Sequence, residues 1–496
     1  MPSGPPNTRL GSRKKNLAVN KSATTAIAIV GGGIAGLAAA YELARQGADF
    51  ILFEASTRLG GIVETIRIQD FLIECGPDSW VTEKPWAAEL AIELGLRDQI
   101  VLSNDQQRTT YIEKGRRLIA LPEGMRMMVP TQWESQEGSP LFSAEAQRAY
   151  REEPERAAEL RASAPQQDET IACFVRRHFG EEVAETIAAP LLSGVFGGDI
   201  KRLSVRAIMP TFVKMEADYG SVIAALQQRS RRSLPQPIFS TLAGGMEVLV
   251  DRIASGLPAR SVRLRQPVTR MRRDEDGWSI ATAAGEERFQ SVLLATPPEA
   301  TRALLQSLES PTAAGSAAAA RMAELLPQRC SSAIVVALGF TAERAAGMSI
   351  PRGFGFLVPA APARSGDDHR LLACTFVDQK FPGRVPDGAA LLRAFFGGEA
   401  GAALQKEPED ALIRRTREQL ASLLGPMPEH SVALVRRLPH SLPQYEVGHL
   451  ERTADLESLA LALPGLRLTG SAYHGVGVSD LIREGRAAAR AMLLLN

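Results

Sequence analysis

The stretch from Ala26 to Glu54 constrains this chain more than any other. Ala26-Ile-Ala-Ile-Val30 reads as a buried parallel strand, Gly31-Gly-Gly33-Ile-Ala-Gly36 as a glycine turn opening a helix, and Phe50-Ile-Leu-Phe53 as a second strand that ends at Glu54. Each glycine has its own reason: Gly31 for the tight bend, Gly33 for close approach of backbone to a pyrophosphate, Gly36 for close packing of helix on strand. The helix N-terminus offers unpaired N–H groups and the positive end of its dipole to the anion. Glu54, roughly 20 residues beyond the turn, is placed to accept both hydroxyls of an adenosine ribose. An acid there favours an unphosphorylated ribose, and so FAD or NAD over NADP. A glycine-rich helix entry with no ligand would need neither the flanking strands nor the acid.

At 496 residues, 45% of them apolar, the chain is long enough for two or three domains with full cores. A net charge of +1 gives no electrostatic case for nucleic acid; the short basic runs Arg13-Lys-Lys15 and Arg229-Ser-Arg-Arg232 read as solvated arms or loops. Cys75, Cys173, Cys330 and Cys374 are widely spaced, with no C-x-x-C pair and no metal-ligand cluster, which points to free thiols in a reduced cytosolic setting. Residues 1–22 hold no apolar run long enough for a signal-peptide core and read as a disordered extension. No window approaches about 18 uninterrupted apolar residues, so no spanning helix is expected, while a surface-lying amphipathic helix stays open.

The expected fold class is α/β. A Rossmann-type cofactor domain is assembled from separated segments, 23–100, 236–305 and 451–496, with a mixed-sheet substrate domain at 101–122 and 306–450 and a helical insertion at 123–235. Within this frame, Pro85 to Gly95 reads as a helix closed by glycine, and Thr110 to Leu121 as a hairpin with a Lys-Gly turn. The helical stretch includes an Arg/Ala/Glu helix around 144–163 and another at Thr170–Phe179. Short strands are expected at Val262, Val268, Trp278 and Val292–Thr296, second-sheet strands at 332–338 and 371–376, and a helix at 409–424. The close, Leu466 to Ala489, has the form strand, glycine-rich turn, helix beginning near Val478, so both ends of the chain converge on one cofactor.

Glu54-Ala55-Ser-Thr-Arg58-Leu-Gly60-Gly61 resembles the E-x3-R-x-G-G extension of flavoproteins in the amine oxidase and phytoene desaturase superfamily, which selects FAD. Four further stretches together resemble oxygen-dependent protoporphyrinogen and coproporphyrinogen oxidases. They are Gly61 to Trp80, with Glu74-Cys-Gly76-Pro77-Asp78-Ser79-Trp80; Glu185 to Ser204, with Pro190-Leu-Leu-Ser-Gly194; Ser240 to Val250; and Pro439 to Glu484, with Tyr445-x3-His449.

The resemblance implies cofactor contacts at Gly31, Gly33, Gly36, Glu54, Ala55, Arg58, Gly61, Gly76, Pro77, Asp78, Ser79, Ser471, Val476, Gly477 and Val478. Val268 joins them through a strand lending backbone groups to adenine. It implies removal of hydrogens from a porphyrinogen in haem biosynthesis, in three flavin-mediated two-electron steps, with O2 as acceptor and H2O2 as product. No catalytic base and no metal are implied, and Lys84 is a candidate partner for a substrate propionate. The implied setting is cytoplasmic, with room for peripheral contact with the inner face of the cell membrane and for handover of product to a ferrochelatase. The motifs do not separate protoporphyrinogen IX from coproporphyrinogen III, although the likeness leans to the soluble bacterial type, which often prefers the latter. An amine oxidase or carotenoid desaturase on the same fold, and a non-catalytic flavin or porphyrin carrier, remain alternatives at this point.

Overall fold

A computed structural model describes residues 25–131, 136–230, 237–359 and 370–494. The expected N-terminal extension, residues 132–135 of the polar loop, and Arg231-Arg232 lie outside the described residues.

The first sheet grows from the glycine turn. Strand β1 (Thr25–Val30) enters helix α1 (Ile34–Arg45), and the chain returns as β2 (Phe50–Phe53), every residue of which is buried. β1 lies between β2 and β3 (Gly285–Leu294), parallel to both; Val262–Arg263 extends the sheet beyond β2. β3 changes neighbours along its length. Its first half closes an antiparallel meander with Arg270–Asp274 and Gly277–Thr282, while its second half pairs in parallel with β4 (Leu466–Leu468). Continuous apolar runs such as Ala26–Val30 and Val292–Leu294 suit strands covered on both faces. On one face α1, Glu247–Ser255 and the C-terminal helix α2 (Val478–Leu493) bury Ile27, Ile29, Leu37, Leu293 and Ile482. On the other, Trp278, Leu304, Met322 and Leu456 pack against Ala28 and Leu294.

The second sheet has seven strands in the order Val432–Pro443, Cys330–Phe340, Ala390–Gly397, Ala373–Phe376, Gly355–Leu357, Thr110–Lys114, Arg117–Ala120. It is antiparallel throughout except where Gly355–Leu357 runs parallel to Thr110–Lys114. Its hairpin turn falls at Gly115-Arg116, not at the expected Lys-Gly, because Lys114 pairs with Arg117 and both central residues take φ of +62°. This is the double left-handed geometry of the turn that matches strand twist.

Helices fill most of the region between. The expected Arg/Ala/Glu helix is two, Ala144–Glu152 and Ala157–Ala162, separated at Pro154, which brings no N–H to the helical ladder, while Glu153 before it keeps helical φ/ψ and donates to the Ala149 carbonyl. Ile171–Phe179 starts one residue later than read, capped by the Thr170 hydroxyl, which accepts the Cys173 N–H. The Leu191-Leu-Ser-Gly194 stretch lies on Ala189–Phe196. There a Cβ at Gly194 would stand 3.2 Å from Leu357, so this helix packs against the second sheet. Among the described residues no helix is long and apolar enough to cross a membrane, and all four cysteines are free, with Cys75 and Cys374 buried.

Candidate functional site

Sheet register brings the functional segments to one rim. Val30 pairs with Phe53 and with Leu294, and Leu294 pairs with Leu468. The parallel strands therefore end together, and Gly31, Glu54, Ala295 and Thr469 follow side by side. In an open α/β sheet this carboxyl edge is where ligands bind.

Three glycines at this rim are demanded by the protein itself. Gly31 takes φ of +109°, and a Cβ there would come within 2.6 Å of the Ala295 carbonyl oxygen. A Cβ on Gly36 would lie 2.0 Å from the Gly31 carbonyl oxygen, and one on Gly485 of α2 would lie 2.2 Å from that of Ala35, so α1 and α2 cross backbone to backbone. Gly33 differs. Its φ of −68° suits any residue, and a Cβ there meets nothing within 4 Å. No contact within the protein calls for glycine at this point, and the backbone there stands open to a ligand.

Other features fit the same ligand. Gly33 and Gly477 are the N-caps of α1 and α2, and neither brings a capping side chain, so two helix N-termini present first-turn N–H groups. The Thr469 hydroxyl is buried without a partner, an orphan of the kind that ligands satisfy. Glu54 Oε2 accepts the Gly32 N–H at 2.7 Å and Oε1 the Ser56 N–H at 2.7 Å. A carboxylate oxygen has a second lone pair, so hydroxyls can still be accepted. Ala55 beside it is exposed.

Arg58 shapes the loop under the turn. Its guanidinium donates to the carbonyls of Leu59 (3.0 Å), Val63 (2.9 Å) and Gly61 (2.5 Å) and pairs with Glu64 at 3.3 Å. Gly61, at φ of +61°, is thereby held so that its Cβ position lies 3.3 Å from Gly33 Cα. Gly76 follows in the same stack, its Cβ position 2.0 Å from the Ile62 carbonyl oxygen. Asp78 and Ser79 are joined by a 2.6 Å hydrogen bond from the Ser79 hydroxyl. Val268 is not in a strand; it lies in the connection between Val262–Arg263 and Arg270–Asp274, half-buried against Trp278 and its neighbours. The preceding Pro267 has no ladder donor to give.

The Tyr-x3-His spacing, legible only as a family mark, has a structural function. The rings of Tyr445 and His449 stack with centroids 3.8 Å apart. The Tyr445 hydroxyl donates to the Ser471 carbonyl (2.6 Å) and accepts the Gly475 N–H (3.0 Å), while His449 Nε2 donates to the Tyr473 carbonyl (2.7 Å). Burial pushes the His449 imidazole down to about 4, leaving it neutral with its proton on Nε2. Both ends of the turn that carries Ser471, Val476 and Gly477 are thus held. Tyr445→Phe removes both bonds of the hydroxyl at a cost of about 1–2 kcal/mol at the turn. Flavin titration is expected to show roughly tenfold weaker binding with the fold intact; unchanged affinity would mean that His449 alone fixes the turn.

Lys84, the expected propionate partner, has its ammonium 2.6 Å from Asp480 in the first turn of α2. The Ser479 hydroxyl donates to the Lys84 carbonyl at 3.0 Å, so the pair stitches this segment to the C-terminal helix, and a substrate carboxylate would have to compete with Asp480. His474 meets Glu457 at the surface, 2.7 Å away. Sequence reasoning missed the basic groups behind Asp78. Lys380 and Arg393 hold its carboxyl well below the usual range against the opposing effect of burial. The available signal was an arginine inside the apolar run Ala390-Leu-Leu-Arg-Ala-Phe-Phe396.

Parallel strands whose shared rim gathers an open glycine turn, an acid after the second strand and two uncapped helix N-termini have the form of a nucleotide-cofactor site. The chain belongs to the flavin containing amine oxidoreductase family, whose profile matches residues 34–493, and within it stands with the porphyrinogen oxidases. It is 31% identical to coproporphyrinogen III oxidase of Bacillus subtilis (strain 168) over 93% of this chain and 96% of that one. It is 29% identical to the protoporphyrinogen oxidase of Homo sapiens, over 94% and 98%. A crystal structure of a putative protoporphyrinogen oxidase from Exiguobacterium sp. 255-15 superposes with a TM-score of 0.80 at 30% identity, covering 95% and 99%. The cofactor class is therefore a flavin and the protein an oxidoreductase.

Proposed function

We propose that this chain is an FAD-dependent oxidase that converts coproporphyrinogen III to coproporphyrin III in haem biosynthesis, with O2 as electron acceptor and H2O2 as product. The observation that carries the reading is likeness over essentially the whole length to proteins named coproporphyrinogen III oxidase, from Bacillus subtilis and from Propionibacterium freudenreichii, the second at 30% identity over 93% of this chain. FAD is favoured over a mononucleotide flavin because the open Gly33 suits close approach of a pyrophosphate, and Glu54, beyond its two backbone hydrogen bonds, keeps lone pairs for the ribose hydroxyls of an adenosine. We assign the cofactor contacts to the residues read from the sequence, and the cofactor domain to segments 23–100, 236–305 and 451–496.

A bound flavin supplies the oxidising chemistry by accepting two electrons at a time. The chain's own part is positioning. The N–H groups at the starts of α1 and α2 hold anionic or electron-rich edges, the Tyr445–His449 pair fixes the turn over them, and Arg58 keeps Gly61 under the cofactor.

The test is a side-by-side aerobic assay on coproporphyrinogen III and protoporphyrinogen IX, following porphyrin fluorescence and peroxide. Both signals should rise together above the autoxidation blank, faster with coproporphyrinogen III. A preference for protoporphyrinogen IX would change the substrate; bound flavin with neither signal would overturn the reading.

A further inference from the structure

Asp78 carries two cations on one carboxylate. Lys380 Nζ lies 3.0 Å from each of its oxygens, and Arg393 Nη1 lies 3.2 Å from Oδ2. A third cation, Arg384, faces Glu74 at 3.5 Å and donates to the Thr241 hydroxyl at 2.7 Å. All three are buried, at 8%, 1% and 2% exposure for Lys380, Arg393 and Arg384. Asp378, on the same turn as Lys380, accepts the Leu391 N–H and pairs with none of them. The ion-paired group is thus three cations on two carboxylates. Burial pushes the Glu74 carboxyl up to about 7 despite Arg384, and it also lowers the Lys380 ammonium from its ordinary value, an effect that the Asp78 carboxylate opposes. An unmatched buried charge is costly unless something compensates it.

The group is linked to the cofactor rim through a short relay of contacts. Arg393 Nη2 donates to the Gly76 carbonyl at 2.6 Å, Gly76 abuts the Ile62 carbonyl, and Gly61 lies against Gly33. Lys380 is fixed further by the Phe239 ring, whose centroid is 4.4 Å away. The surplus therefore stands behind the segment 76–79, on buried side chains.

We propose that the Lys380–Arg393–Asp78 cluster is a fixed positive counter-charge that favours the reduced flavin and raises its reduction potential, with Lys380 and Arg393 as positioning residues for segment 76–79. The inference rests on the flavin site proposed above, not on the identity of the substrate. A C–H bond of the substrate breaks with transfer of a hydride, two electrons and one proton, to the flavin; the substrate's matching positive charge leaves as a proton to solvent. The flavin is left one unit more negative, and a buried positive charge stabilises that state.

The test is the midpoint potential of the purified holoprotein, measured by anaerobic equilibration with a reference dye and no porphyrinogen. Lys380→Met is expected to disfavour the reduced form roughly tenfold, which for a two-electron couple is about 30 mV downward. Asp78→Asn is expected to shift it upward by a similar amount, and the double variant to return near the wild type. Opposed signs separate the electrostatic role from a structural one, since loosening segment 76–79 would move both single variants the same way. Shifts of equal sign, or no shift, overturn the proposal. If Lys380→Met does not fold, Asp78→Asn alone decides by its direction. Wild-type protein that takes up no flavin overturns the cofactor assignment itself, and the proposal with it.

Discussion

Gly36→Ala is expected to cost both fold stability and flavin, while Gly33→Ala costs flavin alone. The Gly36 methyl would sit 2.0 Å from the Gly31 carbonyl oxygen, a backbone atom that cannot rotate away. Helix α1 would have to lift off the turn, and α1 is also pinned on its other side where Gly485 of α2 meets the Ala35 carbonyl. Overpacking of this kind costs about 1–3 kcal/mol, and the displaced turn would no longer aim its N–H groups at the rim. At Gly33 the methyl meets no protein atom within 4 Å and φ is already ordinary. Stability should change by no more than about 1 kcal/mol, the size of an N-cap effect. Flavin affinity should nevertheless fall by roughly 100-fold, about 3 kcal/mol, because the methyl would fill space that the proposed site gives to the cofactor. Thermal melting of the flavin-free proteins together with a flavin titration separates the two. A Gly33→Ala protein with wild-type affinity would place the cofactor elsewhere.

Glu153→Ala is expected to produce the largest loss of stability in the helical region, about 3–5 kcal/mol. Glu153 is fully buried, accepts the Val222 N–H at 2.8 Å and the Ser221 hydroxyl, and faces His178 Nδ1 at 2.8 Å. The other ring nitrogen of His178 faces Glu216 at 3.0 Å, and Arg177 also reaches Glu216. Two carboxylates on the two ring nitrogens require both to donate, so the ring is held as the imidazolium. Burial alone would lower its pKa, and the carboxylates outweigh that and raise it above 6.5.

The pH dependence follows in sign. His178, raised when folded, contributes fully below about 6.5, and its contribution fades as pH climbs through the folded value. Glu216 is lowered below 4.5 by His178 and Arg177 against burial, so its contribution is present above that value and fades as pH falls. Melting of the wild type should therefore be highest between these limits and decline toward alkaline pH, with a flatter alkaline limb in Glu153→Ala. Identical alkaline slopes would show that His178 is neutral in the folded protein.

The features that could be read in the sequence are those whose parts are adjacent in the chain. The strand, glycine turn and helix at 26–45 and the closing turn and helix at 466–493 each carry their own hydrogen-bonding logic within about 30 residues. Failures of detail came from single residues. Pro154 divides a helix that Arg, Ala and Glu favour, and the pairing of Lys114 with Arg117 moves the hairpin turn by one position. For the cluster behind Asp78 the sequence offers an arginine inside an apolar run and no sign of its partners. Lys380 and Arg393 lie 302 and 317 positions from their partners Asp78 and Gly76, and only the register of the second sheet brings them there. The Tyr445-x3-His449 spacing is legible in the sequence, but the turn that the pair holds lies 24 to 30 positions further on and meets it only in the fold.

The most direct test of the account is an anaerobic half-reaction. Purified holoprotein is mixed with coproporphyrinogen III in the absence of oxygen while the visible absorbance of its flavin is followed, and air is then admitted. Bleaching on mixing, with porphyrin formed in proportion, and recovery of the flavin band with peroxide on aeration is the predicted result. A flavin band untouched by coproporphyrinogen III and by protoporphyrinogen IX would contradict the account, because the site would then hold a flavin that exchanges no electrons with a porphyrinogen.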